Sequence, residues 1–355
     1  MRSLYLLQTL MAGFMASYML ACSPPENTRD TPVNTSDAID DKAPETLIED
    51  TEPPFAAAEP ITIDVRFQDV LNQYIGLNER LDRIASRLKI ANADICAETE
   101  ADIGLTTHTL SDYPEELRPA ARYYLNVGAD MSIRTVRAGS PAAKAGLLSG
   151  DQILALNGES LIEGPLFSDP RLKGAMGKAL FHSALDKLGS GENAKITVRR
   201  NDQARTETLP ITRQCRLPVT LFFSEDVNGH YIDGEIWMTS GLLQQVREDV
   251  RVAYIMAHEM AHALRHETGE RTPEIELDAD RIGLILLARA GYDPASLASF
   301  WAEQLYLFDG GNEESESHPD LKRRADNFAL TLSYIRASQG DKNKLKALIT
   351  LNDSP

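Results

Sequence analysis

The sequence predicts an α+β protein, a mainly helical body with a small β-sheet that ends in an edge strand, interrupted by an inserted β-rich module. Three observations predict it. Apolar residues at Val70, Leu71, Ile75, Leu77, Leu81, Ile84 and Leu88 recur at helical spacing, which gives an amphipathic helix of about six turns over residues 67–88. Residues 130–213 change character, with short β-rich runs at Met131–Val136 and Ala194–Val198 set between glycine-rich turns. Helical apolar runs then return at Val250–Leu264 and Ile282–Leu287. Between module and helices, Phe222–Leu242 reads as strand, hairpin and helix start, with Asp233-Gly234 as a two-residue turn.

The 355 residues divide in order. Arg2 followed by the apolar stretch Leu4–Ala21 reads as the n- and h-regions of a secretory signal, residues 1–22, and is too short for a permanent span. Its end, Met19-Leu20-Ala21-Cys22, resembles a bacterial lipobox, which implies lipid on Cys22; an ordinary cleaved signal with an incidental cysteine is the alternative. Ser23 after it resembles the outer-membrane sorting choice, which implies an outer-membrane lipoprotein facing the periplasm of a Gram-negative cell. Residues 23–60 hold 7 of the 18 prolines and 10 acidic against 2 basic side chains. Such a segment cannot bury a core and reads as a disordered, self-repelling tether. It carries 8 of the 17 excess negative charges of the chain. With 36 Lys and Arg against 53 Asp and Glu, the composition excludes a nucleic-acid partner, since phosphate backbones are held by clustered cations.

Residues 61–111 form the N-terminal helical part of the body and residues 112–213 the inserted module. Ser140-Pro141-Ala142-Ala143-Lys144-Ala145-Gly146-Leu147, then Gly150-Asp151-Gln152-Ile153-Leu154-Ala155-Leu156-Asn157-Gly158, closely resembles a PDZ domain. That resemblance implies a peptide ligand added to a sheet edge. The loop that would receive a peptide carboxylate has only Asn126-Val127-Gly128 as a loose candidate, and a purely structural PDZ-like unit stays open. Cys96 and Cys215 flank the module, and in an oxidising compartment a disulfide between them would clasp its base; two buried thiols are the alternative.

Residues 214–355 carry the strongest signal, His258-Glu259-Met260-Ala261-His262. Residues four apart on a helix share a face, so both imidazoles can bind one Zn²⁺ while Glu259 takes a proton from an activated water. Arg265 and Thr268 stand where a metzincin needs Gly and His. The third ligand is instead Glu276 in Glu276-Leu277-Asp278-Ala279-Asp280, a gluzincin arrangement, with Asp280 one turn on to orient a ligating imidazole. His108, His182 and His230 lack partner spacing, and His266 is not needed once Glu276 is available.

These two motifs, preceded by Asn228 with Gly234-Glu235-Ile236 and Thr239-Ser240-Gly241-Leu242, resemble the zinc metallopeptidase family of HtpX, the CAAX prenyl endopeptidases and the soluble periplasmic BepA-like peptidases. The resemblance covers about residues 61–100 and 215–340, and the lack of an internal apolar run near 20 residues suits the soluble branch. It implies a gluzincin body around one zinc ion per chain, with metal ligands His258, His262 and Glu276, base Glu259, support from Asp280, and a substrate-binding edge strand at Asn228, Gly229 and His230. Gly229 stands where the family usually has Ala. His318 has three readings: oxyanion donor, inhibitory fourth ligand, or helix cap. Arg324 is either a site residue or a surface charge. The implied function is a zinc metalloendopeptidase that cuts unfolded or misassembled envelope proteins. A peptide-binding or holdase lipoprotein with a latent or structural zinc site is the rival.

Overall fold

The computed structural model describes residues 65–164, 167, 169, 172–189, 191–265, 272–298 and 319–350. The signal, the tether, Cys22, His266 and His318 lie outside them.

The first helix, α1 (Val65–Ala91), is the expected amphipathic helix, extended by about a turn overall. Leu77, Leu81, Ile84 and Leu88 enter the main core. Its polar side carries arginines that tie down the rest of the body. Arg80 and Arg83 grip Asp249 at 2.9 and 2.7 Å. Arg87 donates to the carbonyls of Ala290 and Gly291 at 2.7 and 2.6 Å and lies 3.7 Å above the Tyr292 ring. Cation and helix end thus meet as the macrodipole favours, because those carbonyls close a later helix.

The chain enters the module through β1 (Thr99–Asp102) and leaves through β8 (Thr212–Cys215), which pair antiparallel with Thr99 opposite Cys215. Cys96 and Cys215 are joined as a disulfide with Cα atoms 5.5 Å apart, across 119 residues of sequence. Between these strands lie β2 (Leu105–His108), α2 (Arg118–Leu125), β3 (Ser132–Val136), α3 (Pro141–Lys144), β4 (Gln152–Leu156), β5 (Glu159–Ser160), α4 (Lys173–Asp186), β6 (Asn193–Arg200) and β7 (Gln203–Pro210). They form a sheet of order β2-β3-β4-β6-β7, with β5 on β4, around their own core of Ile133, Ile153, Phe181, Ile196 and others. The Ser140 hydroxyl caps α3 by accepting from Ala143 N at 3.1 Å, with Pro141 behind it, as the motif predicts.

Two details of the module differ from expectation. Its first strand is β2 at 105–108, ahead of residue 112, and Ile103 already belongs to its core. This Thr-rich stretch of four residues is too short to show alternation. Asn126-Val127-Gly128 does not open a sheet edge: Asn126 terminates α2 in the left-handed region, and Gly128 O accepts from Leu110 N at 2.8 Å. Edge strand β2 is entered through Ile103-Gly104 instead.

After the module come β9 (Val219–Phe222), β10 (Gly229–Ile232) and β11 (Glu235–Thr239), in order β10-β11-β9, which leaves β10 at an edge. Asp233 and Gly234 both take positive φ, 52° and 86°, so the hairpin turn is the type the Asp-Gly pair predicts. Then follow α5 (Ser240–Gln245), α6 (Asp249–Arg265), α7 (Pro273–Arg289), α8 (Leu321–Ser338) and α9 (Lys342–Thr350). Helices α6 and α7 pack face to face in the core that α1 completes. Among the described residues no helix is long and apolar enough to cross a membrane.

Candidate metal centre

The site lies where α6, α7, α8 and the edge of β10 meet. His258 and His262 stand one turn apart on the buried face of α6, and Glu276 lies in the first turn of α7. That turn is set by Thr272, whose hydroxyl accepts from Ile275 N at 3.4 Å, and by Pro273 at its start. A carboxylate there also benefits from the positive end of the helix dipole. Close approach of the two helices needs Gly283, because a Cβ at that position would sit 3.0 Å from the His258 backbone nitrogen.

The three expected ligands converge. Nε2 of His258 lies 3.2 Å from Nε2 of His262 and 3.1 Å from Oε2 of Glu276, while Nε2 of His262 is 3.5 Å from Oε1 of Glu276. One donor atom from each falls within 4.8 Å of the others. Glu259 is buried beside them, and its Oε2 accepts the backbone N–H of Tyr231 on β10 at 2.7 Å. The edge of β10 therefore points at the site.

Asp280 is fully buried and supports the imidazole. Its Oδ1 accepts from Nδ1 of His258 at 3.0 Å and from the Tyr254 hydroxyl at 2.8 Å. Arg324, from α8, clamps the same carboxylate with Nε and a terminal nitrogen, both at 2.8 Å. Of its two readings, Arg324 is therefore the buried partner and not a surface charge. Tyr254 was not visible in the sequence as a site residue, although it precedes His258 by one helical turn on the same face.

Three buried carboxylates, Glu259, Glu276 and Asp280, and one buried guanidinium, Arg324, surround the two imidazoles. Burial opposes the charged form of His258, but hydrogen bonds to Asp280 and Glu276 outweigh it and raise its pKa to about 10. Burial likewise opposes ionisation of Asp280, yet Arg324 and His258 hold its carboxyl well below the usual range. Two imidazole nitrogens and a carboxylate suit zinc, and Asp280 on Nδ1 leaves Nε2 of His258 directed inward, so the residues fit that ion.

Of the residues expected to form the substrate strand, Gly229 and His230 lie in edge strand β10 and Asn228 directly precedes it. Asn228 is tied to Thr239, with Asn228 N donating to its hydroxyl and Thr239 N to Asn228 O, both at 3.0 Å. Gly229 is packed so that a Cβ would come within 3.0 Å of Met238 Sδ and 3.1 Å of Ile255, which accounts for glycine there. The His230 side chain is exposed. Of the histidines set aside, buried His108 pairs with the Tyr113 hydroxyl at 2.6 Å, away from the site.

A His-His-Glu set with a buried glutamate beside it defines a metallopeptidase-type centre. Residues 224–274 and 269–329 match the model of peptidase family M48, which indicates a metallopeptidase, and residues 132–166 match a PDZ domain model. No curated protein matches the chain. Among solved structures it is similar to the HtrA-type protease AlgW with decapeptide, at 21% identity and TM-score 0.23, over 32% of this chain and 30% of that one. The same protease with tripeptide gives 24% identity and TM-score 0.22, over 32% of each chain. The chain thus spans about a third of the length of these structures.

Proposed function

We propose that the chain is a zinc-dependent metalloendopeptidase of the soluble, BepA-like kind, acting on unfolded or misassembled proteins of the cell envelope. The observation that carries this reading is the convergence of His258, His262 and Glu276 beside Glu259, with β10, an edge strand among the described residues, directed at Glu259 through the Tyr231 N–H. His258 Nε2, His262 Nε2 and the Glu276 carboxylate would hold the zinc, which when bound polarises a carbonyl and acidifies a water. Glu259 serves as the base: it takes the proton of the attacking water and hands it to the leaving amine. Asp280, clamped by Arg324 and Tyr254, keeps the His258 ring in place during that exchange. Strand β10 aligns the substrate in extended form through backbone hydrogen bonds, a mode of recognition that favours unfolded chains.

The signal-like Leu4–Ala21, Cys22 and the acidic tether support a lipid-anchored protein on the periplasmic face of the outer membrane. The Cys96–Cys215 disulfide supports an oxidising compartment. The PDZ match supports a peptide ligand for the module. Zinc content and degradation of unfolded casein, compared between the wild type and Glu259→Gln, test the reading. A zinc-loaded wild type no faster than the mutant would overturn it and leave a client-holding lipoprotein.

A further inference from the structure

We infer that a pocket walled by the Cys96–Cys215 disulfide receives one apolar side chain of the substrate, that of a residue adjoining the bond cut. The inference rests on the peptidase reading above. The cavity measures about 180 Å³, and Leu217, Tyr231, Met260, Ala263 and Leu264 are among the residues that line it with the disulfide. It adjoins the base on two sides. Ala263 follows Glu259 by one helical turn on the same face of α6, and Tyr231 lines the cavity while its N–H lies 2.7 Å from the Glu259 carboxylate. A substrate strand laid along β10 therefore carries a side chain to the mouth of this cavity as its backbone reaches Glu259.

The chemistry of the lining selects the occupant. Glu98 and Arg216 also line it but pair with each other at 3.5 Å, and Arg216 binds Asp186 of α4 at 2.7 Å. Their charges offset one another, so the pair gives no spare counter-charge to an acidic or basic side chain, and Leu217, Met260, Ala263 and Leu264 make the rest of the lining mainly apolar. An apolar cavity of about 150 Å³ is known to hold a benzene ring, so Leu, Met or Phe fills this space while Gly and Ala leave it empty. Because a covalent bridge forms one wall, the cavity cannot close by that wall moving independently of the module's base.

The test is to digest denatured proteins of known sequence with the purified zinc-loaded protein and map the cut sites by mass spectrometry. The expected pattern is Leu, Met or Phe at one fixed position beside the cut. Ala263→Phe, which fills the cavity, is expected to shift that position toward Gly and Ala by at least about tenfold at unchanged zinc content, in line with the discrimination a few methylene groups supply. Leu264→Ala, which enlarges it, is expected to admit Tyr and Trp, and decides the matter if Ala263→Phe does not fold. Cut sites without an apolar preference at any adjoining position, or the same preference in both variants, would overturn the inference. Failure of the zinc-loaded wild type to cut at all instead overturns the peptidase reading beneath it.

Discussion

Replacing Asp280 with Asn separates what this buried carboxylate does for the fold from what it does for the metal. The side chain keeps its size and one acceptor oxygen but loses the charge that Arg324 grips with two hydrogen bonds of 2.8 Å. A guanidinium left buried without its carboxylate costs about 3–5 kcal/mol. His258 also loses the charged acceptor, now 3.0 Å away, that fixes its ring, and supports of this kind are worth about 10–100-fold in metal affinity. Urea denaturation and zinc competition against a chelator read the two effects independently. Arg324→Met is the control of opposite sign: it is expected to lose stability but to bind zinc as tightly or more so, since it removes a positive charge and leaves the Asp280 carboxylate in place. A pair of variants with equal zinc affinity, within about twofold of wild type, would refute the supporting role of Asp280. The double variant should be less destabilised than the two single effects added together.

Zinc uptake should release a proton at pH 7, because His258 in the metal-free protein titrates at about 10 and must be neutral to coordinate; calorimetry in two buffers of different ionisation enthalpy reads this directly. The same shift fixes a sign for the metal-free protein: its His258 contribution to stability is complete below the unfolded histidine value of about 6.5 and fades as pH rises through about 10. Asp249, whose burial opposes ionisation but whose pKa Arg83 and Arg80 draw down, contributes in the opposite sense, with stability present above about pH 4 and lost on acidification. Gly283→Ala should cost about 1–3 kcal/mol and weaken zinc binding, since the added methyl meets the His258 backbone at 3.0 Å. Replacing Cys96 and Cys215 with Ser should lower stability by about 2–5 kcal/mol, as expected for opening a loop of this length.

The candidate metal centre was legible because its residues are local in sequence. His258 and His262 share one helical face with Glu259 next to the first, and Glu276 and Asp280 share a face of another helix, so spacing alone aligned them. The hairpin at Asp233-Gly234 and the Ser140-Pro141 helix start were equally local. What spacing does not carry is a contact between distant segments. Arg324 is 44 residues from Asp280, and its burial depends on how α8 lies against α7. Tyr254 belonged to the readable face, yet a tyrosine in an apolar helix looks like core until its hydroxyl has a partner. Strand β2 was missed because its only signal is its pairing with β3.

The position of α1 also bears on how the chain is made. Arg80 binds groups 163 to 169 residues further on, and Asn92 meets the carbonyl of Leu286 and the guanidinium of Arg289, 194 and 197 residues away. Leu71 packs early, on Tyr113 and Ala120, and Asp82 pairs with Arg134 at 3.3 Å, but the face of Leu77, Leu81, Ile84 and Leu88 finds most of its core only when α5, α6 and α7 have been synthesised, whereas the module between them closes on its own core. The body is therefore a late, high-separation assembly around a waiting amphipathic helix, which makes slow folding and a need for chaperone protection the expected cost of this chain order.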